Sequence, residues 1–151
     1  MSEPNSADFA LLKIKTADGP PAVLTLLCGI QNVTINRSVN IGERYRRDCA
    51  KPNRPGNRKI RNNGQSWNIS GSGEDNVDIE TEYTSAFGVK KDYVVELYKD
   101  DDTDGGELMG SYAGTAMMTG RNQSFAIEGD EGGTADITLE GEGELVWTPA
   151  P

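Results

Sequence analysis

The residue types that most often carry out catalysis are scarce in this chain of 151 residues. The chain contains no histidine, which excludes histidine general bases, Ser-His-Asp and Cys-His nucleophilic sites, and histidine-ligated zinc. Its two cysteines, Cys28 and Cys49, lack the CxxC spacing of a metal site. We therefore predict a protein that is not an enzyme and that has no catalytic residues, no metal and no cofactor.

One acidic segment, residues 100–107, is similar to the start of a calcium-binding loop. Asp100, Asp102 and Asp104 occupy the first, third and fifth positions, and glycine follows at the sixth. The twelfth position is Ser111 rather than glutamate, and the flanking segments predict strands rather than helices. A solvated hairpin loop is the favoured interpretation. The alternative function is a monomeric β-sandwich binding module that holds calcium or another ligand weakly between Asp100 and Asp104.

Charge is distributed unevenly along the chain, whose net charge is −9. Residues 1–42 are neutral overall, residues 43–61 carry +6 and residues 62–151 carry −15. Such asymmetry indicates a partner. The basic segment has six arginines, which are Arg44, Arg46, Arg47, Arg54, Arg58 and Arg61.

Three interpretations of the basic segment stay open. It docks on an acidic surface of an identical neighbour, it is a mobile solvated loop, or it binds nucleic acid through phosphate contacts. Docking is favoured because one chain carries both charges, and because a body of −15 repels DNA. A basic segment and an acidic body on one subunit favour head-to-tail contacts, which close rings or build filaments.

Most of the chain has the two-residue hydrophobic period of antiparallel strands. In residues 31–41, one predicted face contains Val33, Ile35, Val39 and Ile41, with Arg37 as an interruption. One helix is expected over about 76–88, capped by Asp75 or Asn76 and packed on the sheet. Residues 42–65 fit neither period and predict a long loop, which at this length is functional or disordered.

The chain is long enough for one domain with one core, and we predict a single domain over 1–151. Its N-terminus is polar and acidic, which predicts no export signal and a cytoplasmic site of synthesis with reduced thiols. Cys28 and Cys49 then pair only if the fold brings them together. No stretch approaches the roughly 20 apolar residues of a membrane span, so we expect no membrane insertion.

Four stretches, taken in order, resemble the major tail tube proteins of long-tailed bacteriophages and gene transfer agents. Residues 9–14 resemble the opening strand of that family, and residues 28–38 resemble its second strand. Residues 66–73 resemble the strand and turn that precede its single helix, and residues 141–148 its closing strand. Each motif is weak alone, but their order is fairly specific and covers nearly the whole chain.

The resemblance implies a mainly β fold, an antiparallel β-sandwich flanked by one α-helix, with a long basic loop at about 42–65. Six subunits would join their sheets into an inner β-barrel, and stacked rings would form the conduit for DNA ejection into the host. The implied partners are further copies of the chain, tail terminator and tail tip proteins, and double-stranded DNA that passes without specific binding. The implied location is the virion tail, after synthesis in the bacterial host cytoplasm.

The resemblance also suggests roles for two sets of residues. Because a basic loop in the lumen would bind DNA through its phosphates, we place the six arginines of the basic segment at an inter-subunit interface. An acidic lumen lets DNA slide without sticking. The candidate lumen-facing acids lie on one predicted face of the last strand, and they are Asp136, Glu140, Glu142 and Glu144.

Overall fold

A computed structural model describes residues 3–17, 23–126 and 132–151 of the chain. The described residues are mainly strand, with one short helix, as expected. The strands are β1 (Phe9–Ala17), β2 (Val23–Leu26), β3 (Ile30–Arg46), β4 (Asn57–Glu74), β5 (Lys90–Lys99), β6 (Glu107–Ser124) and β7 (Thr134–Pro149). The α-helix α1 (Glu80–Ala86) follows a 3₁₀ turn at Val77–Ile79. Within these ranges, no helix has the length and apolarity needed to cross a membrane.

The seven strands form one antiparallel sheet in the order β2-β1-β5-β6-β7-β4-β3. β1 lies against β3, although the two stand near opposite ends of this order. The sheet therefore curls, and the two layers expected of a sandwich are formed by one continuous sheet that does not close on itself. β6 and β7 take part in both layers, and their pairing shifts register near Gly114 and Gly120. These bulges let long strands bend.

The core fills the concave side of the curled sheet. Its most deeply buried side chains come from alternating positions, such as Leu12, Val95, Met118 and Leu139. Alternation follows from the strand period, since successive side chains point to opposite faces. We call the core-facing side the inner face and the opposite side the outward face.

The helix packs against the inner face, where Tyr83 and Ala86 join the core. Asn76 caps the preceding 3₁₀ turn by accepting a hydrogen bond from the backbone N–H of Asp78 at 3.1 Å. Gly88, with a φ of +75°, ends the helical segment in the left-handed region that favours glycine. The helical residues therefore lie within the predicted range of about 76–88.

A partly buried arginine on the sheet anchors this helix. The guanidinium of Arg121 lies 4.4 Å from the ring centroid of Tyr83 and donates a hydrogen bond of 2.9 Å to Glu80. The hydrogen bond from Arg121 holds the pKa of the Glu80 carboxyl below its ordinary value, and burial only partly opposes this effect. Folding is therefore coupled to the ionisation of Glu80.

We expect Glu80→Gln to lower the free energy of unfolding at neutral pH by about 1 kcal/mol, a modest value because the Glu80 side chain is partly exposed. A carboxyl whose pKa is lowered by folding stabilises the protein above its unfolded pKa and loses that effect as the pH falls through the folded value. The difference between wild type and variant should thus shrink below about pH 4.5. Thermal melts from pH 7 to pH 3 measure this, and a difference that grows on acidification contradicts it.

Trp67 fills the bend of the sheet. Its side chain is buried, and its indole N–H donates a hydrogen bond of 3.1 Å to the Gly143 carbonyl. A Cβ placed on Gly141 would lie 2.1 Å from the Trp67 ring, and one on Gly114 would lie 2.6 Å from it. Glycine at these two positions therefore leaves the space that the indole occupies.

Gly141→Ala should destabilise the fold by about 1–3 kcal/mol, because the new methyl group forces the indole of Trp67 out of its site. Gly120→Ala is the matched control, since a Cβ there meets nothing closer than 3.6 Å. Urea unfolding of both variants gives the comparison. Equal stability of the two variants would show that the indole adapts without cost.

The predicted loop at about 42–65 is wrong, because most of it is strand. β3 runs to Arg46 and β4 begins at Asn57, so only residues 47–56 connect them. The pairing continues to the end, where Arg46 is opposite Asn57. Neither face of this hairpin is buried within its own chain, so the segment lacks the apolar period by which a strand is predicted. We call residues 39–65 the arm.

Candidate assembly surfaces

The arm is a two-stranded hairpin whose two faces differ in character. Side chains directly opposite each other in an antiparallel pair share a face. By this rule Arg44 and Arg46 lie on one face with Lys59 and Arg61. None of these four cations has an ion pair among the described residues. We call this set the basic face of the arm.

The opposite face of the arm carries four exposed apolar side chains together with the ion pair of Glu43 and Arg58. The register places Val39, Ile41, Tyr45 and Ile60 on it, with exposed fractions of 52%, 45%, 67% and 63%. These side chains continue the inner face of the sheet past the point where the chain's own core ends. The predicted burial of Val39 and Ile41 is therefore wrong, whereas Val33 and Ile35 do pack against the core. We call the four exposed residues the apolar stripe.

The six candidate interface arginines are distributed over the whole arm rather than on one surface. Arg44, Arg46 and Arg61 belong to the basic face. Arg47 and Arg54 lie in the connecting residues 47–56, which form successive turns. Arg58 lies on the same face as the apolar stripe, opposite Tyr45, and its Nε forms an ion pair of 2.6 Å with Glu43. Arg37, which interrupts the pattern of β3, stacks over the Tyr112 ring at 4.6 Å.

The four candidate lumen acids are all exposed on β7. Asp136 and Glu140 lie on the outward face, opposite Ser72 and Asn68 of β4. Glu142 forms an ion pair of 2.9 Å with Lys90. Glu144 lies where the pairing of β7 with β6 shifts register, beside Gly143 with its φ of +73°. The structure thus places Asp136, Glu140 and Glu142 along one wall of the sheet and Glu144 at its bulge.

Among the described residues, the outward face around these acids is polar and has no cation over residues 32–38 of β3, residues 66–72 of β4, residues 134–140 of β7 and the facing part of β6, whereas the basic face of the arm lies further along the same side of β3 and β4. Hydroxyl and amide side chains fill it, and some bond across strands, as Asn36 does to Asn68 at 2.9 Å and Ser38 does to Ser66 at 2.8 Å. The remaining residues of this wall are Asn32, Thr34, Ser70, Ser72, Met117, Gly120, Asn122, Asp136, Thr138 and Glu140.

On the outward face of the other layer, lysines are paired with acids. Lys13 lies 2.6 Å from Glu96 and Lys15 lies 3.6 Å from Asp92. Burial raises the pKa of the Glu96 carboxyl, but hydrogen bonds from Lys13 and Tyr98 outweigh it, and the net pKa is below the ordinary value. The Glu96 carboxylate therefore stays charged and offsets Lys13 at neutral pH.

Several strand edges of the sheet are open among the described residues, including the outer edge of β3, which pairs only with β4, and two further edges. β4 pairs with β7 only over residues 134–140, so residues 141–149 have no partner on that side within the described chain. At the other end, the four residues of β2 pair only with β1. Unpaired edges of this kind can accept another strand.

The acidic loop and the cysteines form no site in the structure. Residues 100–106 connect β5 to β6 as a hairpin loop in which carboxylates bind neighbouring backbone N–H groups, as Asp100 does to Asp102 at 2.9 Å. Across the described ranges, no group of three or more acidic or cysteine side chains is arranged to hold a metal. Cys28 and Cys49 are both exposed and unpaired.

Comparison with known proteins supports this architecture at the level of fold. No family model and no curated protein matches the chain. Solved structures do match, among them a chain from the C6-symmetric tail of an empty gene transfer agent particle. It has a TM-score of 0.64 and 16% identity, over 91% of this chain and 94% of that one.

Two further matches have similar scores. The SPP1 tail tube has a TM-score of 0.63 and 14% identity, over 97% of this chain and 80% of that one. A chain of the sheath/tube terminator of an extracellular contractile injection system has a TM-score of 0.64 and 16% identity, over 97% of this chain and 98% of that one. The chain therefore has the fold of tail tube proteins, as the sequence resemblance predicted.

Proposed function

We propose that this chain is a structural subunit of a tail tube, and that it acts by assembly rather than by catalysis. The observation that carries the proposal is the fold, which matches tube and tail structures over nearly the whole chain. Copies would join into six-membered rings, and stacked rings would form a conduit for DNA in a virion tail. Tail terminator and tail tip proteins would bind its ends, and synthesis would take place in the host cytoplasm.

The open strand edges support the proposal that copies join into a ring. Pairing the free edge of residues 141–149 with the β2 edge of the next copy would continue the sheet from subunit to subunit into an inner β-barrel. Closure would cover these two edges, which otherwise promote aggregation. The same step would place the outward faces of six copies side by side.

The absence of cations on the wall supports the proposal that it lines a conduit for DNA. Phosphate is attracted by unpaired lysine and arginine, and DNA binding rises with their number. On the wall that holds Asp136 and Glu140, hydroxyls, amides and carboxylates offer DNA no such contact. The basic arm, in contrast, would bind DNA if it faced the lumen, so we place its arginines between subunits.

Negative-stain electron microscopy of the purified protein tests the proposal. We expect hollow tubes or six-fold rings, with assembly favoured by high protein concentration. Full-length protein that stays strictly monomeric at millimolar concentration, both alone and with tail tip proteins as nucleus, would contradict the proposed function.

Reversing the charge of the wall should make a tube bind DNA. We expect Asp136→Lys combined with Glu140→Lys to leave assembly intact and to make the tubes retain short duplex DNA at low salt, where wild-type tubes do not. Retention should fall steeply as salt rises, because phosphate contacts release counterions. Nuclease protection of the retained duplex separates the lumen from the outer surface. Unprotected duplex would show that these acids face outward from the tube.

A further inference from the structure

The basic face of the arm is a set of exposed cations that the chain itself does not neutralise. Residues 39–65 contain eight bases and only two acids. Glu43 is paired with Arg58 on the opposite face of the hairpin, and Asp48 lies in the connecting turns. No acid of the arm therefore lies on the basic face, whose four exposed cations are Arg44, Arg46, Lys59 and Arg61.

The shape and spacing of the basic face suit a DNA duplex. Arg46 lies four residues beyond Gly42, which is opposite Arg61, so the cations extend over about 13 Å of the hairpin. Both strands contribute cations, and a two-stranded ribbon fits the major groove, which is about 12 Å wide. Duplex DNA carries one phosphate charge per about 1.7 Å of its axis. A duplex that lies along the hairpin therefore presents several phosphates to the four cations at once.

The acids of the wall lie far from the basic face, because the hairpin is extended. Glu140 lies at the level of Asn36, across β4. Arg44 is eight residues beyond Asn36, or about 26 Å at 3.3 Å per residue. Glu144 lies beside Val39, which is about 16 Å from Arg44 by the same measure. Salt at about 0.15 M screens exposed charges that are more than about 8 Å apart. The repulsion that these acids exert on DNA is therefore largely screened at the basic face.

Duplex DNA fits the basic face better than single strands or RNA do. Proteins that hold single strands stack the bases on aromatic side chains, and Tyr45, the one aromatic residue of the arm, lies on the opposite face. The major groove of an RNA duplex is too narrow to admit side chains. Contacts from lysine and arginine to phosphate carry no sequence information, so we expect binding without sequence preference.

We propose that the basic face of the arm binds duplex DNA without sequence preference in the unassembled subunit, and that assembly into a tube ends this binding. In the tube, the arginines of the arm would lie between subunits and would no longer reach phosphate. DNA and assembly therefore compete for one set of cations. The binding of DNA is independent of assembly, whereas its loss in tubes rests on the proposed function.

Titration of the dilute monomer with a short fluorescent DNA duplex tests the binding. Four phosphate contacts predict that log affinity falls against log salt with a slope of about −3.6, which is a loss of about 100-fold between about 50 and 200 mM salt. The arm variant combines Arg44→Gln, Arg46→Gln and Arg61→Gln. It should bind roughly tenfold more weakly at low salt, with a slope shallower by about 2.7. Thermal melts establish that the variant is folded, and a slope equal to that of the wild type would overturn the proposal.

A matched control separates the basic face from overall charge. Lys13→Gln, Lys15→Gln and Lys90→Gln remove the same charge from lysines that form ion pairs on the body. This control variant should bind DNA as tightly as the wild type does. An equal loss of affinity in the control and the arm variant would show that net charge governs the binding, and the role of the basic face would then be wrong.

Competition between DNA and assembly tests the second part of the proposal. We expect duplex DNA added before assembly to lower the yield of wild-type tubes at low salt, and finished tubes to bind roughly tenfold less duplex per subunit than the monomer does. Tubes that bind as much duplex per subunit as the monomer would overturn this part.

The outcomes for binding and for assembly can be told apart. Monomers that bind no duplex at low salt would overturn the inference and leave the proposed function in place. Monomers that bind duplex but form no tubes would contradict the proposed function, and the binding of DNA by the arm would stand.

Discussion

Shortening the arm should abolish stacked tubes and leave a folded subunit. The variant replaces residues 40–64 with Asn-Gly, which joins Val39 to Gln65, its direct partner across the hairpin, by a two-residue turn. Beyond that pair the two strands bond only to each other, and the arm contributes nothing to the buried core. We expect the melting temperature to change by only a few degrees, while sedimentation and negative stain detect no tubes.

A swap within the arm serves as the control for this deletion. Glu43→Arg combined with Arg58→Glu exchanges the two members of an ion pair and keeps the net charge and length of the arm. This variant should form tubes at close to the wild-type yield. Normal tubes from the shortened chain would show that the arm has no part in assembly, and the inter-subunit role of its arginines would then be wrong.

Trp67→Ala should have the largest effect on stability of any single substitution considered for this fold. The indole is 5% exposed, fills the space above Gly141 and Gly114, and donates its only hydrogen bond to Gly143. Truncation leaves a cavity at the bend between the layers and an unpaired carbonyl, at a cost of about 3–5 kcal/mol. Urea unfolding of the monomer measures this loss.

The other tryptophan provides a matched control. Trp147 is 43% exposed and packs against Tyr112 at a centroid distance of 4.8 Å. Trp147→Ala removes the same atoms from a half-exposed site, so we expect a loss of about 1 kcal/mol. Similar losses in the two variants would contradict the assignment of Trp67 as the side chain that holds the bend.

The sequence predicted those parts of the fold whose pattern is local. The helical segment has a capping residue and a terminating glycine within the chain, so its place near Asn76 and Gly88 could be predicted. The acidic face of β7 could be predicted because its buried partners alternate with it in one strand. The division of charge between arm and body is a property of the residues themselves.

The arm could not be predicted as a hairpin, because periodicity reports burial within the same chain. A strand that is exposed on both faces has no period, although backbone hydrogen bonds hold it as firmly as any other strand. One signal was present: Tyr45, four residues after Ile41, continues the alternation of the predicted strand into the segment predicted as a loop. Continuing that count would have revealed the apolar stripe.

Contacts between residues far apart in sequence were decided by the tertiary structure alone. Arg121 had no distinguishing pattern in the sequence, yet register places it where it meets Glu80 and Tyr83 of the helix. The space that the Trp67 indole occupies is likewise left by glycines in two other strands. Composition and period therefore determined the type of fold and its two opposite charges. Pairing order, curl and register decided which surfaces stay open, because these depend on which distant strands meet.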